Sequence, residues 1–319
     1  MSFDWDSYRR DLKPRSGERG WIDAEDLSRL SLDAMRAENS VVRRVTSSGS
    51  LRLTGAGVTG HSAVMDDVAD TMRHFQRLVL ATGLAQAGHR SLRGQPSPDV
   101  VAKTKLKLDG APMPGSLVLA FVPSVAPMEE LTKNGHEDIT NPTSHQAVDV
   151  AVSDALGLLN EAQLLGPDAD ETNFLGHLTA LGPRVASTLR DFTKTLVSSE
   201  FEPEIRWMKP NERALRSRLT LSQLSYLQKI VTSRELAKEP TTVVGKLRTV
   251  SDISAWKVEI EDGSIVSIVA KLISEAEVAE LRLGTTVRVH ATVTEEVGPS
   301  GEGAAKYVAT SVEVVDSNS

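Results

Sequence analysis

The sequence predicts an α+β protein: an N-terminal mixed α/β body with long helices and hairpins, followed by a small C-terminal β-barrel. Residues 62–87 and 143–166 repeat apolar side chains at helical spacing. After Glu239-Pro240, short runs of alternating apolar and polar residues predict strands instead. Because 40% of the 319 residues are apolar, each part has enough material for a core of its own.

Changes in composition divide the chain into four segments. We expect a flexible leader in residues 1–20, the α+β body in 21–200, a basic β-hairpin and helix connecting segment in 201–240, and the barrel in 241–316. The leader is polar and charged, so it has little to bury.

Cysteine is absent, which excludes disulfides, thiolate zinc sites, iron–sulfur clusters and cysteine nucleophiles. No apolar run approaches the roughly 18 residues of a membrane span, and the polar N-terminus has no signal-peptide core. We therefore expect a soluble, cytoplasmic protein with no membrane partner. The net charge of −7 argues against a protein coated for nucleic acid.

The body is predicted to begin with a helix from Trp21 to Glu38, because apolar residues recur there at helical spacing. A strand at 51–54, a glycine-rich turn and a helix running from Ser62 toward Ala87 follow. Lys103, Lys105 and Lys107 alternate with apolar residues, which predicts a strand with one solvated face. The run LVLAFV at 117–122 is apolar on both faces and predicts a central strand.

Two further helices are predicted in the body. The first follows a capping box of Thr143 and Gln146 and ends at Gly166. The second begins at Pro183 and buries an apolar stripe that includes Leu189 and Phe192. The residues between these two helices predict a loop.

Residues 201–220 predict a hairpin, because apolar and charged residues alternate in both halves. Keeping the apolar sets on one face requires Trp207 opposite Leu215 and Glu204 opposite Arg218. A helix around 222–236 follows, and the sequence LAKEPTT at 236–242 predicts a linker.

The C-terminal segment predicts the element order β-β-β-α-β-β, with Asp262-Gly263 as a hairpin turn and Gly245 as a bend in the first strand. This order resembles the OB-fold, which implies a five-stranded Greek-key barrel with its helix between strands three and four. We expect the segment to fold without the rest of the chain. The expected interior residues are Val244, Leu247, Trp256, Val258, Ile260, Ile265, Ile268, Val287, Val289, Val308 and Val312.

Gly55, Gly57 and Gly60 form a G-x-G-x-x-G after a strand and before a helix, as a dinucleotide-binding turn requires. The long helix that follows, and the lack of alternating βαβ units, favour a plain glycine-rich connection. Nucleotide binding by a cofactor-dependent enzyme therefore stays open as an alternative.

His145 and Asp149 are spaced to share a helix face, as a metal site could use. With the nearby His136, Glu137 and Asp138 they also match an ordinary polar loop, because no H-E-x-x-H spacing is present. We predict no metal and no cofactor. No G-x-S-x-G is present and the histidines are scattered, so no catalytic residue is assigned.

Two basic features could bind an anionic partner, although lysines on a strand are usually a solvated face. They are the stripe of Lys103, Lys105 and Lys107 and the cluster of Arg206, Lys209, Arg213, Arg216 and Arg218. The barrel segment has seven Lys/Arg against twelve Asp/Glu and few aromatic residues. Nucleic-acid binding by the barrel is thus disfavoured.

The leading functional prediction is a non-catalytic interaction or assembly protein that acts through its barrel and charged hairpin. Its partner would be another protein or another copy of the chain. The alternatives are a nucleotide-binding enzyme that uses the turn at 55–60 and a nucleic-acid-binding protein that uses the basic hairpin.

Overall fold

The structure is a computed structural model. It describes residues 46–109, 117–127, 130, 132–133, 136–137, 145–166, 169–210, 212–251, 253–279, 281–297 and 303–315. The predicted leader, the predicted helix at 21–38 and the predicted cap residue Thr143 lie outside these residues. The helices are α1 Met65–Gln86, α2 Pro98–Thr104, α3 Ala147–Ala162, α4 Thr172–Leu181, α5 Pro183–Ser198, α6 Leu221–Ser233 and α7 Glu275–Ala279. The strands are β1 Ser48–Thr54, β2 Leu106–Leu108, β3 Leu117–Pro123, β4 Thr132–Lys133, β5 His136–Glu137, β6 Glu202–Met208, β7 Leu215–Arg218, β8 Glu239–Thr249, β9 Trp256–Glu259, β10 Ile265–Val269, β11 Thr286–Val297 and β12 Gly303–Val314.

The body contains an antiparallel sheet in the order β2-β3-β1-β6-β7. Its apolar face belongs to the main core together with the inner sides of the body helices. Phe121 stacks on Trp207 at 5.8 Å between ring centroids and meets Phe75 of α1 at 5.5 Å. Aromatic side chains therefore connect strands β3 and β6 of the sheet with helix α1.

The predicted hairpin at 201–220 is confirmed in its register. Trp207 faces Leu215 and Glu204 faces Arg218 across β6 and β7. Trp207 is fully buried, and its indole Nε1 donates to Asp149 Oδ1 at 3.0 Å. The same carboxylate accepts from the Gln146 N–H at 3.2 Å, so it also caps the start of α3. The capping box of this helix is therefore formed by Gln146 and Asp149, three residues later than the predicted pair of Thr143 and Gln146.

The lysine stripe was predicted to be a strand, and this prediction is wrong for residues before Leu106. Pro98 opens α2, and Lys103 pairs with Asp99 at 2.8 Å one turn earlier. A proline at the first helical position and an i,i+4 ion pair favour the helix over the local alternation. Lys105 caps the helix, and only Lys107 lies in a strand.

Helix α4 was not predicted, since residues 168–171 suggested a loop between helices. Phe174, Leu178 and Leu181 are buried at helical spacing, and Gly182 ends the helix before Pro183. That spacing in the sequence could have identified the helix. The predicted helix from Pro183 is confirmed as α5, with Leu189 and Phe192 fully buried.

The C-terminal segment forms a closed five-stranded barrel in the order β10-β12-β11-β8-β9. Strands β10 and β12 are parallel, whereas the other pairs are antiparallel. Its core is separate from that of the body and centres on Leu247, Trp256, Val258 and Ile268. Strand β8 begins at Glu239, so the predicted linker at 236–242 is wrong in its second half.

Val244 and Ile265 were expected inside the barrel, but they are 45% and 60% exposed. Each adjoins a second apolar residue, Val243 and Val266 respectively, which lies in or against the barrel core. Two adjacent apolar residues leave the phase of a strand ambiguous, because a shift of one residue reverses the face. The neighbour of each predicted residue occupies the inner face instead.

Asp149→Asn is expected to lower the free energy of unfolding by about 1–2 kcal/mol, because the helix loses a charged cap beside a buried indole. The matched control is Asp154→Asn in the same helix, where burial raises the pKa of the Asp154 carboxyl and so disfavours its charged form. Urea unfolding at neutral pH measures both. Equal losses in the two variants would contradict the cap assignment.

Candidate functional site

The barrel is joined to the body through the carboxylate of Glu239, the first residue of β8. Its oxygens accept from Ser91 Oγ at 2.8 and 2.9 Å and from the Leu92 N–H at 2.8 Å. Arg93 Nε and Nη2 each lie 2.9 Å from Glu239 Oε1. The third nitrogen of this guanidinium, Nη1, donates to Thr241 Oγ1 at 2.9 Å. The Glu239 side chain is only 14% exposed. The carboxylate therefore binds one short loop of the body at several donors.

Arg184 of α5 holds the same loop from the body side. Its Nε donates to the Ser91 carbonyl at 2.9 Å, and its Nη2 donates to the Arg93 and Gly94 carbonyls at 3.2 Å. Burial lowers the pKa of Arg184, while the nearby Glu295 and Glu239 carboxylates oppose that shift. The loop at 91–94 is thus bound by Arg184 through its carbonyls and by Glu239 through its donors. We refer to this arrangement as the loop clamp.

A second contact joins helix α1 to the barrel. Arg77 Nη2 lies 2.7 Å from Glu295 Oε1 in β11, and both side chains are about nine-tenths buried. Gly303 of β12 lies over this pair, and a Cβ at that position would overlap the Glu295 carboxylate. Among the described residues, the Arg77 Nη atoms form no aligned hydrogen bond, so their contact with Glu295 is an ion pair. A side chain at position 303 would displace the ends of these two side chains.

A cleft of about 770 Å³ opens beside this contact, between helices α1, α2 and α5 and the β11–β12 hairpin. Its walls include Leu84, Pro96 and Val101, and its charged residues are Lys105, Arg77, Arg184 and Glu295. The cleft therefore combines an apolar wall with an excess of cations.

The glycine turn at 55–60 is occupied by the body's own backbone. The Gly57 N–H donates to the Glu200 carbonyl at 3.2 Å, and a Cβ on Gly57 would overlap the Ser199 carbonyl oxygen. Gly55 has φ of +100° and meets the Glu200 carbonyl in the same way. Gly60, by contrast, has open space around it. The close approach that the first two glycines allow is to the chain itself.

The cations of the predicted basic cluster are distributed between ion pairs and solvent. Arg206 Nε and Arg216 Nη2 donate to Glu204 Oε1 at 2.8 and 2.9 Å, and Arg206 is buried. Lys209 pairs with Glu212 at 2.7 Å. The cluster's exposed members, Arg213 and Arg218, lie on the loop and at the end of β7.

The potential metal ligands are not brought together. His145 precedes α3 and lies 3.5 Å from Glu212, whereas Asp149 binds Trp207 in the core. His136 and Glu137 form the short strand β5, and Asp138 lies outside the described residues. Among the residues that the structure describes, no group of three or more His, Asp or Glu side chains is placed to hold a metal ion.

The residues of the loop clamp were not identified from the sequence. Glu239 was assigned to a linker, and Arg184 lay beside a predicted apolar stripe without any motif. The contacts that define the site join residues about 90 to 150 positions apart. The sequence contained no spacing signal for them, because the loop clamp is formed by the fold.

No protein-family model matches the chain, and no curated protein matches it. Among solved structures, the chain is similar to an OBody, NL8, bound to hen egg-white lysozyme. The match has 14% identity, covers 25% of this chain and 99% of that one, and has a TM-score of 0.21. A score this low supports no inference about fold or binding. Within the described part of the chain, no helix has the length and apolar character needed to cross a bilayer.

The pKa of the Glu204 carboxyl lies below its ordinary 4.5. Burial raises this pKa, but the hydrogen bonds from Arg216 and Arg206 and their positive charges together lower it by more. A depressed folded-state pKa adds stability above the unfolded pKa, and this stability is lost as the pH falls through the folded value. Glu204→Gln should therefore be less stable than wild type at neutral pH by about 2 kcal/mol.

The difference should shrink as the pH falls below 4.5. Urea unfolding at a series of pH values measures it, with the exposed Glu200→Gln as the matched control. A difference that is independent of pH would contradict a charged role for Glu204.

Proposed function

We propose that the chain is a non-catalytic interaction or assembly protein and that its barrel is an OB-like module that contacts a second copy of the chain. The strand order β10-β12-β11-β8-β9 supports the OB-like assignment. So do the parallel pairing of β10 with β12 and the position of α7 between β10 and β11. In OB-folds the face of the second and third strands, here β9 and β10, is a binding surface for oligonucleotides and oligosaccharides.

The observation that carries the proposal is the distribution of exposed apolar side chains. Six of the twelve large hydrophobic residues that are exposed among the described residues lie in the barrel. They are Val244, Ile253, Ile265, Leu272, Leu283 and Val314. The barrel spans about a quarter of the chain, so its outer surface is enriched in such residues. Contiguous apolar surface marks a protein-contact site, and two of these residues, Val244 and Ile265, lie on one face, that of β8, β9 and β10.

The face formed by β8, β9 and β10 combines apolar and charged residues. Lys246 pairs across to Glu259, which pairs in turn with Ile265, so these three lie in one row. Arg248 and Lys257 lie on the same outer side, and Arg248 forms an ion pair with Glu259. Glu261 and Asp262 line a groove beside Val244, so the face has charges of both signs.

The remainder of the barrel is acidic, since the whole segment has twelve Asp/Glu against seven Lys/Arg. A partly apolar face that has charges of both signs can be complementary to the same face of a second copy in a twofold dimer. This complementarity favours self-association over a nucleic-acid partner.

The geometry gives less support to the two alternatives. The turn at 55–60 encloses the backbone at 199–200, which leaves its first two glycines no room for a pyrophosphate. The buried Arg206 of the hairpin is paired with Glu204, so it is not available to a phosphate backbone. Self-association is therefore the function that we propose.

Light scattering on the purified full chain tests the proposal. We expect a mass that is a multiple of 34.4 kDa, unchanged by added single-stranded DNA. The double variant Val244→Asp/Ile265→Asp should be a monomer, because it places two carboxylates in the contact surface. The matched control is Leu164→Asp, at a residue of the body that is 79% exposed. A monomeric wild type, or a double variant that still assembles, would overturn the proposal.

A further inference from the structure

The cleft between the body and the β11–β12 hairpin exposes apolar surface that nothing in the described structure covers. Val101 of α2 is 38% exposed there, and the half-buried Leu80 of α1 and Pro96 form the adjoining wall. A volume of about 770 Å³ is within the range of small-molecule sites. The apolar wall suits the aromatic or aliphatic part of a small ligand.

Two nitrogen groups in the cleft are available to a ligand. Arg184 uses Nε and Nη2 on the loop at 91–94, and its Nη1 has no partner among the described residues. The side chain of Lys105 is exposed and likewise has no partner in the described part of the chain. Arg184 itself is only 7% exposed and is fixed by its bonds to the loop. One of the two cations is therefore pre-organised, and the other is mobile.

The charge balance of the cleft determines the sign of its ligand. Arg77, Arg184 and Lys105 line the cleft together with one carboxylate, Glu295. Arg77 pairs with Glu295 and also lies 3.7 Å from Asp191, so Arg184 and Lys105 supply the excess charge. A cationic ligand would add to this excess, whereas an anion would reduce it. Burial lowers the pKa of Arg184, and a nearby anion would favour its charged form.

We propose that this cleft binds a small organic anion, with its apolar body against Leu80 and Val101 and its anionic group at Lys105 and Arg184. The site has walls from the body helices and from the barrel hairpin, so an occupied cleft would bridge the two. The proposal does not depend on self-association, because the cleft lies away from the outer face of β8, β9 and β10.

Anilinonaphthalene sulfonate is a suitable probe, since it joins an apolar ring system to one anionic group. Fluorescence titration of the full chain should show equimolar binding. The uncharged analogue N-phenylnaphthylamine should bind about tenfold more weakly, because it lacks the partner for the two cations. Equal affinity for the two probes would show that the site is merely apolar and would overturn the proposal.

Two variants locate the site. Lys105→Glu should weaken sulfonate binding about tenfold and leave the uncharged probe unaffected. Val101→Asp should weaken both probes. The matched control is Lys194→Glu, an exposed lysine on the outer side of α5 that does not line the cleft. Circular dichroism verifies that each variant is folded, and light scattering verifies that its assembly is unchanged. Equal sulfonate affinity in Lys105→Glu and Lys194→Glu would overturn the proposal.

Discussion

The loop at 91–94 lies between two ionised side chains of opposite sign, and the position of the barrel depends on it. Arg184 binds three carbonyl groups of this loop, and Glu239 binds its hydroxyl, amide and guanidinium donors. A buried charge without partners costs several kcal/mol, so each charge requires the loop in this conformation. Because Glu239 is also the first residue of β8, the barrel begins at the point where the body binds it.

The two candidate sites follow from this constraint. The cleft exists because the β11–β12 hairpin is held against helices α1 and α5, with Arg77 and Glu295 in contact beneath Gly303. The same docking leaves the outer face of β8, β9 and β10 exposed, where Val244 and Ile265 lie among charged residues of both signs. One orientation of the barrel therefore supplies a wall of the proposed ligand cleft and leaves the proposed contact face open to a second copy of the chain.

The fold was largely predictable where a local pattern has one solution. The register of Trp207 and Glu204 followed from alternation, and α5 followed from Pro183 and its apolar stripe. The prediction failed where two patterns compete, as at the lysine stripe, where Pro98 and Asp99 favour a helix. The candidate site was not predictable, because Glu239 and Arg184 acquire their roles only when distant segments meet. Paired apolar residues such as Val243 and Val244 also leave the inner face of a strand undetermined.

Differential scanning calorimetry of Glu239→Ala measures whether the loop clamp makes the barrel unfold together with the body. The barrel has a core of its own, so it can unfold separately once the clamp is lost. We expect one cooperative transition in wild type and two separate transitions in Glu239→Ala. The matched control, Glu235→Ala, removes an exposed carboxylate four residues earlier and should keep one transition. A Glu239→Ala variant with the single transition and midpoint of wild type would contradict the account.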